Sequence, residues 1–284
     1  MITSKNCLRD RAMRVLAKLP ALSAGASAFL SALARRDVDH DRLVAIIQRD
    51  PMLAPRVLEL ANSGAFGRLN RVESIPRAVV LLGPSTLRRH GIRWTVGGLL
   101  KGLPDLPRWS TSRYTTHAEA TALLADILCD HLPIGKYGDG AFIAGLVHDV
   151  GKFAICTEAS PETIDQILAM RETSPGSTSE IERSVLGIDH AEISSMAAEK
   201  WRLGDDVCQA IHFHHEPERD SNQNEIALSF LLSKSDSFVN GLGMNFLSPS
   251  SHVTDALDWP GYSREVDRAV RSFESVLTAN GVVV

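Results

Sequence analysis

Along most of this chain apolar residues recur at intervals of three and four, and sustained alternation is absent, so the elements it predicts are helices. In "DHDRLVAIIQRD", residues 39–50, Leu43, Val44, Ile46 and Ile47 supply the apolar positions, with Asp39 or Asp41 placed to cap the first turn. "DPMLAPRVLELANSGAFG" starts another helix with Asp50 as its cap and Pro51 in the first turn; Leu53, Val57, Leu60 and Ala61 share a face, and Gly64 breaks the pattern. "SIPRAVVLLGPSTLRRHGI" reads as one helix ended at Gly83 and a second begun near Pro84. The proline- and glycine-bearing "KGLPDLPRWSTS", residues 101–112, separates this first cluster from a second that starts near Tyr114. Within the second cluster "TSPGSTSE", 173–180, is a loop, and "NGLGMNFLSPSSHVTDALDWPGYS", 240–263, is irregular before an amphipathic helix over 264–279.

The expected fold is therefore all-α, with two helical clusters, the second a bundle. In domain terms this gives a helical extension over 1–17 and a main domain over 18–240. The main domain divides into a cluster at 18–100, a linker at 101–112 and a cluster at 113–240; an irregular segment and closing helix follow over 241–284.

Composition adds constraints. The 284 residues are 44% hydrophobic and 23% charged, as in a globular protein with ample core. A net charge of -4 offers no polyanion-seeking surface, which disfavours nucleic acid as a partner. The four cysteines, at 7, 129, 156 and 208, form no CxxC pair and suit a reducing compartment. "MITSKNCLRDRAMRVLAKLP" lacks the apolar core of a signal peptide, and no apolar run approaches the roughly 20 residues that span a bilayer. A cytoplasmic protein without a membrane partner is expected.

The chemistry lies in five pieces of the second cluster: "YTTHAEA", "LVHDVGK", "GIDHAEIS", "AIHFHHEP" and "LLSKSDSF". Singly each has an ordinary explanation. His117 could be a satisfied core histidine, His190 a first-turn residue after the cap Asp189, His214 and His215 a polar loop, and Asp236 a solvated carboxylate. Together they offer imidazole and carboxylate donors for a hard or borderline divalent cation, one or two ions of Fe, Mn, Mg or Zn. His148 and Asp149 are set in the apolar "AFIAGLVHDVGKFAI", 141–155, where ionisable groups are costly to bury without compensation. Side chains of adjacent residues diverge, so these two share one centre only from opposite sides, or with Asp149 bridging two ions roughly 3.5–4 Å apart. Lys152 is one turn beyond His148 and could steady a phosphate, or could be a snorkelling surface lysine. His40, His90, His131, His212 and His252 fall outside the set and read as surface residues.

The order H…HD…H…HH…D resembles the HD superfamily of metal-dependent phosphohydrolases, and in particular its HDOD (HD-related output domain) branch. "RDPMLAPRVLELANSGAFG" is similar to that branch's DP-x-L…R-V-L-x-L-A-N-S-x-x-F-G signature, and "VESIPRAVVLLGPSTLR" to its S-I-x-x-A-[VI]-x-x-L-G segment. "FIAGLVHDVGK" and "HAEISSMAAEKWRLGDDVCQAIHFHHEP" continue the likeness, which covers residues 18–217.

The resemblance implies an all-α bacterial signalling module that acts on a protein partner or a small nucleotide ligand. In many members the metal site is lost; here His117, His148, Asp149, His190, His214, His215 and Asp236 match its ligand positions. The related HD-GYP phosphodiesterases follow their paired histidines with G-x-G-Y-P, whereas this chain has "HHEPERDSNQNE". Some also carry a glutamate one turn before the first histidine, where this chain has Arg113. Both departures weigh against a three-metal site and cyclic di-GMP hydrolysis.

Three functions follow for test. The first is a metal-binding regulatory protein that works through partner or ligand binding. The second is a metal-dependent phosphohydrolase on a nucleotide or cyclic dinucleotide, with Asp149 and Lys152 in catalysis. The third, less favoured, is a DNA-binding regulator, suggested by the helix-turn-helix flavour of "LGPSTLRRHGIRW" with Arg88, Arg89 and Arg93.

Overall fold

The computed structural model describes residues 24–34, 38–63, 71–100, 111–132, 138–173, 177–221, 227–244 and 261–279, with the single positions 10, 14, 17, 257 and 259. Among the described residues there is no strand. Most of the extension predicted for 1–17 and most of the segment 241–260 lie outside them. The chain divides into two compact units, one over Ala21–Leu99 and one containing Leu100–Val284.

The first unit contains α1 (Ala24–Ala34), α2 (His40–Arg49), α3 (Leu53–Ala61) and most of α4 (Ile75–Leu100). Its core gathers one face from each helix: Phe29 and Leu33, Leu43 and Ile47, Leu53 and Val57, Val79 and Leu82. The caps follow from the carboxylates. The Asp39 side chain accepts from the Arg42 N–H, and Asp50 Oδ1 accepts from the N–H groups of Met52 and Leu53, opening α3. Asn62 ends α3 and ties it to the following segment, its amide both donating to and accepting from the Val72 backbone. Within α4, Gly83 takes φ 69° and ψ 164°, so the helical ladder breaks just before Pro84, where the sequence places a stop and restart.

The second unit is built from α5 (Thr111–His131), α6 (Gly138–Val147), α7 (Val150–Glu158), α8 (Pro161–Thr173), α9 (Thr178–Leu186), α10 (His190–Lys200), α11 (Asp205–Phe213), a 3-10 turn (Pro217–Arg219), α12 (Leu228–Gly241) and α13 (Ser263–Ala279). Helix α5 is the central post, packed by α6, α12 and α13, while α10 packs on α7 and α11. Val266, Ala269, Phe273 and Leu277 form the buried stripe of α13.

Two glycines set the closest approaches. A Cβ on Gly145 would come within 2.5 Å of Ala122 Cα, so α6 lies directly against α5. A Cβ on Gly151 would strike the His190 carbonyl, and its N–H instead donates to Ser194 Oγ at 2.8 Å, docking the start of α7 onto α10. The most apolar stretch, Gly140–Glu158, corrects the expectation that no run nears membrane-spanning length. Its 19 residues suffice by length and composition, yet 78% of its most apolar window is buried within the protein, and it breaks into α6 and α7 at His148–Asp149. It is the core of this bundle.

Candidate metal centre

The break between α6 and α7 answers why two polar residues interrupt an apolar run. His148 and Asp149 are not inside one helix, as the periodicity implied, but form the two-residue turn between two. Four further segments deliver side chains to the same place: His117 from the second turn of α5, His190 from the first residue of α10, His214 and His215 from the end of α11, and Asp236 from α12. All seven predicted residues come together. His117, His148, Asp149, His190 and His214 are 0% exposed and Asp236 is 3% exposed; His215 is half-buried.

The donors form two sets. His117, His148, Asp149 and Asp236 each bring one donor atom to within 4.8 Å of the others, and so do His190, His214 and His215 among themselves. Asp149 joins the sets. Its Oδ2 lies 3.4 Å from His117 Nε2 and 3.5 Å from His148 Nε2, while its Oδ1 lies 3.3 Å from His190 Nε2 and 4.0 Å from His214 Nε2. Asp236 Oδ1 completes the first set, 3.2 Å from His117 Nε2 and 3.4 Å from His148 Nε2.

The rings are oriented from behind. Nδ1 of His117 donates to the Met244 carbonyl at 3.0 Å, Nδ1 of His148 to Gly145 at 2.8 Å and Nδ1 of His214 to Ile211 at 2.6 Å. Nδ1 of His190 donates to the buried carboxylate of Glu182 at 2.6 Å. With Nδ1 donating, each ring in its neutral form turns the Nε2 lone pair inward, the tautomer a cation needs. Asn240 likewise holds Asp236, its amide donating to Oδ1 at 2.8 Å.

The interior of the cluster fits a divalent cation. Asp149 Oδ1 and His214 Nε2 are buried without any hydrogen-bond partner, a costly state for polar atoms unless something else engages them. Two pairs of Nε2 atoms face each other, His117 with His148 at 3.3 Å and His190 with His215 at 2.8 Å. Acceptor nitrogens so close repel unless a proton or a cation lies between them.

The electrostatics agree. Burial opposes charge on His117, but hydrogen bonds to Asp149 and Asp236 outweigh it and hold the ring up at about 9. Burial also opposes charge on Asp149, yet His148, Lys152, His117 and His190 keep it well below the usual carboxylate range. His215 is pushed down to about 3 by burial and the neighbouring His190. The centre sets carboxylates on the Asp149–Asp236 side against imidazoles on the other. It has the make-up of a divalent-metal site.

Lys152 is in the first turn of α7 while His148 is in the turn before it, so the two share no helix face; its Nζ bonds Asp149 Oδ2 at 2.5 Å and its side chain is 12% exposed. Of the remaining histidines, His40 and His212 are exposed as expected, whereas His90 and His131 are half-buried, His90 against the ring of Trp94. His252 lies outside the described residues. Spacing did not reveal Glu182, Asn240 or the Met244 carbonyl; Glu182 is an acid eight positions before His190, with nothing local to single it out.

The second unit is thus a helical bundle around a buried centre of histidines and aspartates. The chain belongs to the HDOD family: the HDOD domain model matches residues 19–217. An uncharacterised protein of Treponema pallidum (strain Nichols) is 27% identical over 194 residues, which cover 65% of this chain and 35% of that protein, so the match spans about a third of the relative's length.

Three solved structures share the fold. An HDOD domain protein of unknown function from Geobacter sulfurreducens has TM-score 0.66 at 21% identity, covering 99% of this chain and 96% of that one. A protein from Marinobacter aquaeolei VT8, named for signal transduction, has TM-score 0.66 at 24% identity, covering 98% and 66%. A protein from Shewanella amazonensis SB2B, named as a phosphohydrolase, has TM-score 0.60 at 20% identity, covering 96% and 98%.

Proposed function

We propose that this chain is a regulatory HDOD protein that holds one or two divalent cations and acts by binding a signalling partner or a small nucleotide, not by turnover. The ligands are His117, His148, Asp149 and Asp236 on one side of Asp149, and His190, His214 and His215 on the other. The HDOD domain is assigned to residues 18–240, with 241–284 appended to it. The supporting observation is the carboxylate of Asp149 set between two imidazole sets, with its Oδ1 unpartnered and its Oδ2 shared. Bound there, a divalent cation would neutralise the two buried carboxylates and pin five chain segments to one point.

Two features favour binding over turnover. The donors, His215 apart, are buried, and Lys152, the side chain best placed to meet a phosphate, is committed to Asp149. The recess beside it, lined by Lys152, Cys156, Ile164 and Glu182 among others, has a volume of about 20 Å³, room for about one water. The Marinobacter protein's name, which refers to signal transduction, agrees with a regulatory role.

The second function, a phosphohydrolase, draws on the same bridge. Two cations about a carboxylate can activate water and stabilise a displaced phosphate oxygen; Asp149 would bridge and Lys152 would leave it to steady the phosphate. One experiment separates the two. Elemental analysis of protein purified without added metal is followed by hydrolysis of model phosphoesters and cyclic dinucleotides by wild type and Asp149→Ala. Metal without turnover supports the regulatory function. Robust turnover abolished by Asp149→Ala overturns it in favour of the enzyme, and absence of metal discards both.

A further inference from the structure

The nitrogen-rich half of the centre is gripped from outside by two consecutive residues of α9. Glu182, 3% exposed, uses one oxygen, Oε2, to accept both the His190 backbone N–H at 2.8 Å and the ring Nδ1–H at 2.6 Å. Arg183 reaches residues flanking the ligands on both segments of this half. Its Nε lies 2.9 Å from Asp189 Oδ2, the carboxylate that caps α10 immediately before His190. Its two terminal nitrogens bond both oxygens of Glu216, the residue after His215, at 2.7 and 3.2 Å.

The hydrogen-bond partners explain why this half needs such support. The Nδ1 atoms of His117, His148 and His214 donate to backbone carbonyls, two of them only three residues away on their own segment. The His190 ring leans on a side-chain carboxylate eight residues distant, and its Nε2 is 2.8 Å from that of His215. At that distance a proton or a cation must lie between the two nitrogens, so the rings keep their aim only if each is held from behind. A carboxylate behind a ligating imidazole also makes that imidazole the stronger donor. A planar guanidinium engaging a carboxylate through two nitrogens fixes direction as well as distance.

We propose that Glu182 and Arg183 are the positioning residues of the His190–His214–His215 half: Glu182 locks the tautomer and angle of His190, and Arg183 ties the cap of α10 and the segment after His215 to the same helix. This rests on the metal-binding function proposed above. The half built on His117, His148 and Asp236 touches neither residue through the contacts named here, so its affinity does not depend on them.

The test is cobalt(II) titration of metal-stripped protein, followed by calorimetry and by the visible absorption of the bound ion, with urea denaturation as a check on folding. The variants are His190→Ala, Glu182→Ala, Glu182→Gln and Arg183→Ala. The binding event lost in His190→Ala marks the nitrogen-rich half. Glu182→Ala weakens that event by roughly 10–100-fold and alters its absorption, leaving any other event unchanged. Glu182→Gln, which keeps an acceptor oxygen but no charge, recovers part of the loss, and Arg183→Ala weakens the same event.

Wild-type affinity in folded Glu182→Ala and Arg183→Ala overturns the proposal. If Glu182→Ala does not fold, Glu182→Gln and Arg183→Ala carry the same comparison. Cobalt binding to wild type that is unaffected by His190→Ala overturns this proposal alone. No binding to wild type overturns the metal-binding function itself.

Discussion

Asp149 is the residue on which the centre turns, and its neighbours show what a buried carboxylate requires. It is fully buried, faces four imidazoles and one ammonium, and still leaves Oδ1 without a hydrogen-bond partner. The motif residues were legible because each is chemically distinctive, and because five weak signals in a fixed order weigh more than one. The residues that aim them were not. Glu182, Asn240 and the Met244 carbonyl act through contacts across helices, with no fixed offset from the ligand they orient. Lys152 shows the limit from the other side: the motif placed it beside the centre, but whether it meets a phosphate or Asp149 depends on a rotamer.

Gly151 was legible only as part of a motif, and its role is steric. Its Cα lies where a side chain would strike the His190 carbonyl and Ile193. Gly151→Ala is expected to cost about 1–3 kcal/mol, the range for overpacking against backbone that cannot yield. Urea denaturation checks this: a lowered midpoint at unchanged slope is expected, and wild-type stability would show that α7 and α10 can separate.

At the scale of elements, local chemistry decided most of what could be read. Asp39 was preferred to Asp41 as the cap of α2 because its carboxylate reaches the Arg42 N–H. Asp50 accepts from the N–H groups of Met52 and Leu53, but Pro51 and Met52 form a turn ahead of α3 and Met52 takes the N-cap position. Ser177 closes a reciprocal capping box with Glu180 at the end of the predicted 173–180 loop. The second cluster starts at Thr111, slightly ahead of Tyr114, within the ordinary imprecision of helix ends.

The break at His148–Asp149 was missed because apolar periodicity runs through it unchanged; only contacts with other segments reveal the turn. Gly83 was read as a stop, and its φ of 69° with ψ of 164° is a region open to glycine and little else. Gly83→Ala is expected to destabilise the Ala21–Leu99 unit by about 1–3 kcal/mol while leaving metal content unaltered. Thermal denaturation with elemental analysis tests both halves of that statement; a loss of metal would mean the two units are not independent in this respect.

At the scale of the whole molecule, the all-α class and the HDOD family were accessible from sequence, since both rest on long signatures. The division at Leu99 and Leu100 emerges from packing. A cation bound by the folded unit alone would stabilise it by mass action, about 2.7 kcal/mol at a hundredfold excess over the dissociation constant. Chelation is therefore expected to lower the melting temperature.

Loading also depends on pH, with a sign fixed by His117. Without a cation that ring is held at about 9, so at neutral pH it carries a proton that binding must expel. Affinity should therefore rise with pH up to about 9, by as much as about tenfold per unit for one proton released. His215, down at about 3, is already neutral there and adds no slope. Calorimetry in buffers of different ionisation heat checks the release; an affinity independent of pH between 6 and 8 would contradict the charge assigned to His117.

The convergence of five segments on Asp149 is tested most directly by anomalous diffraction at metal edges, from crystals of protein purified without added metal. One or two peaks are expected beside the Asp149 carboxylate, ringed by the Nε2 atoms of the histidines that face it. Clean density at every edge, with those imidazoles in place and metal absent after soaking with iron, manganese and zinc, would contradict a metal centre here.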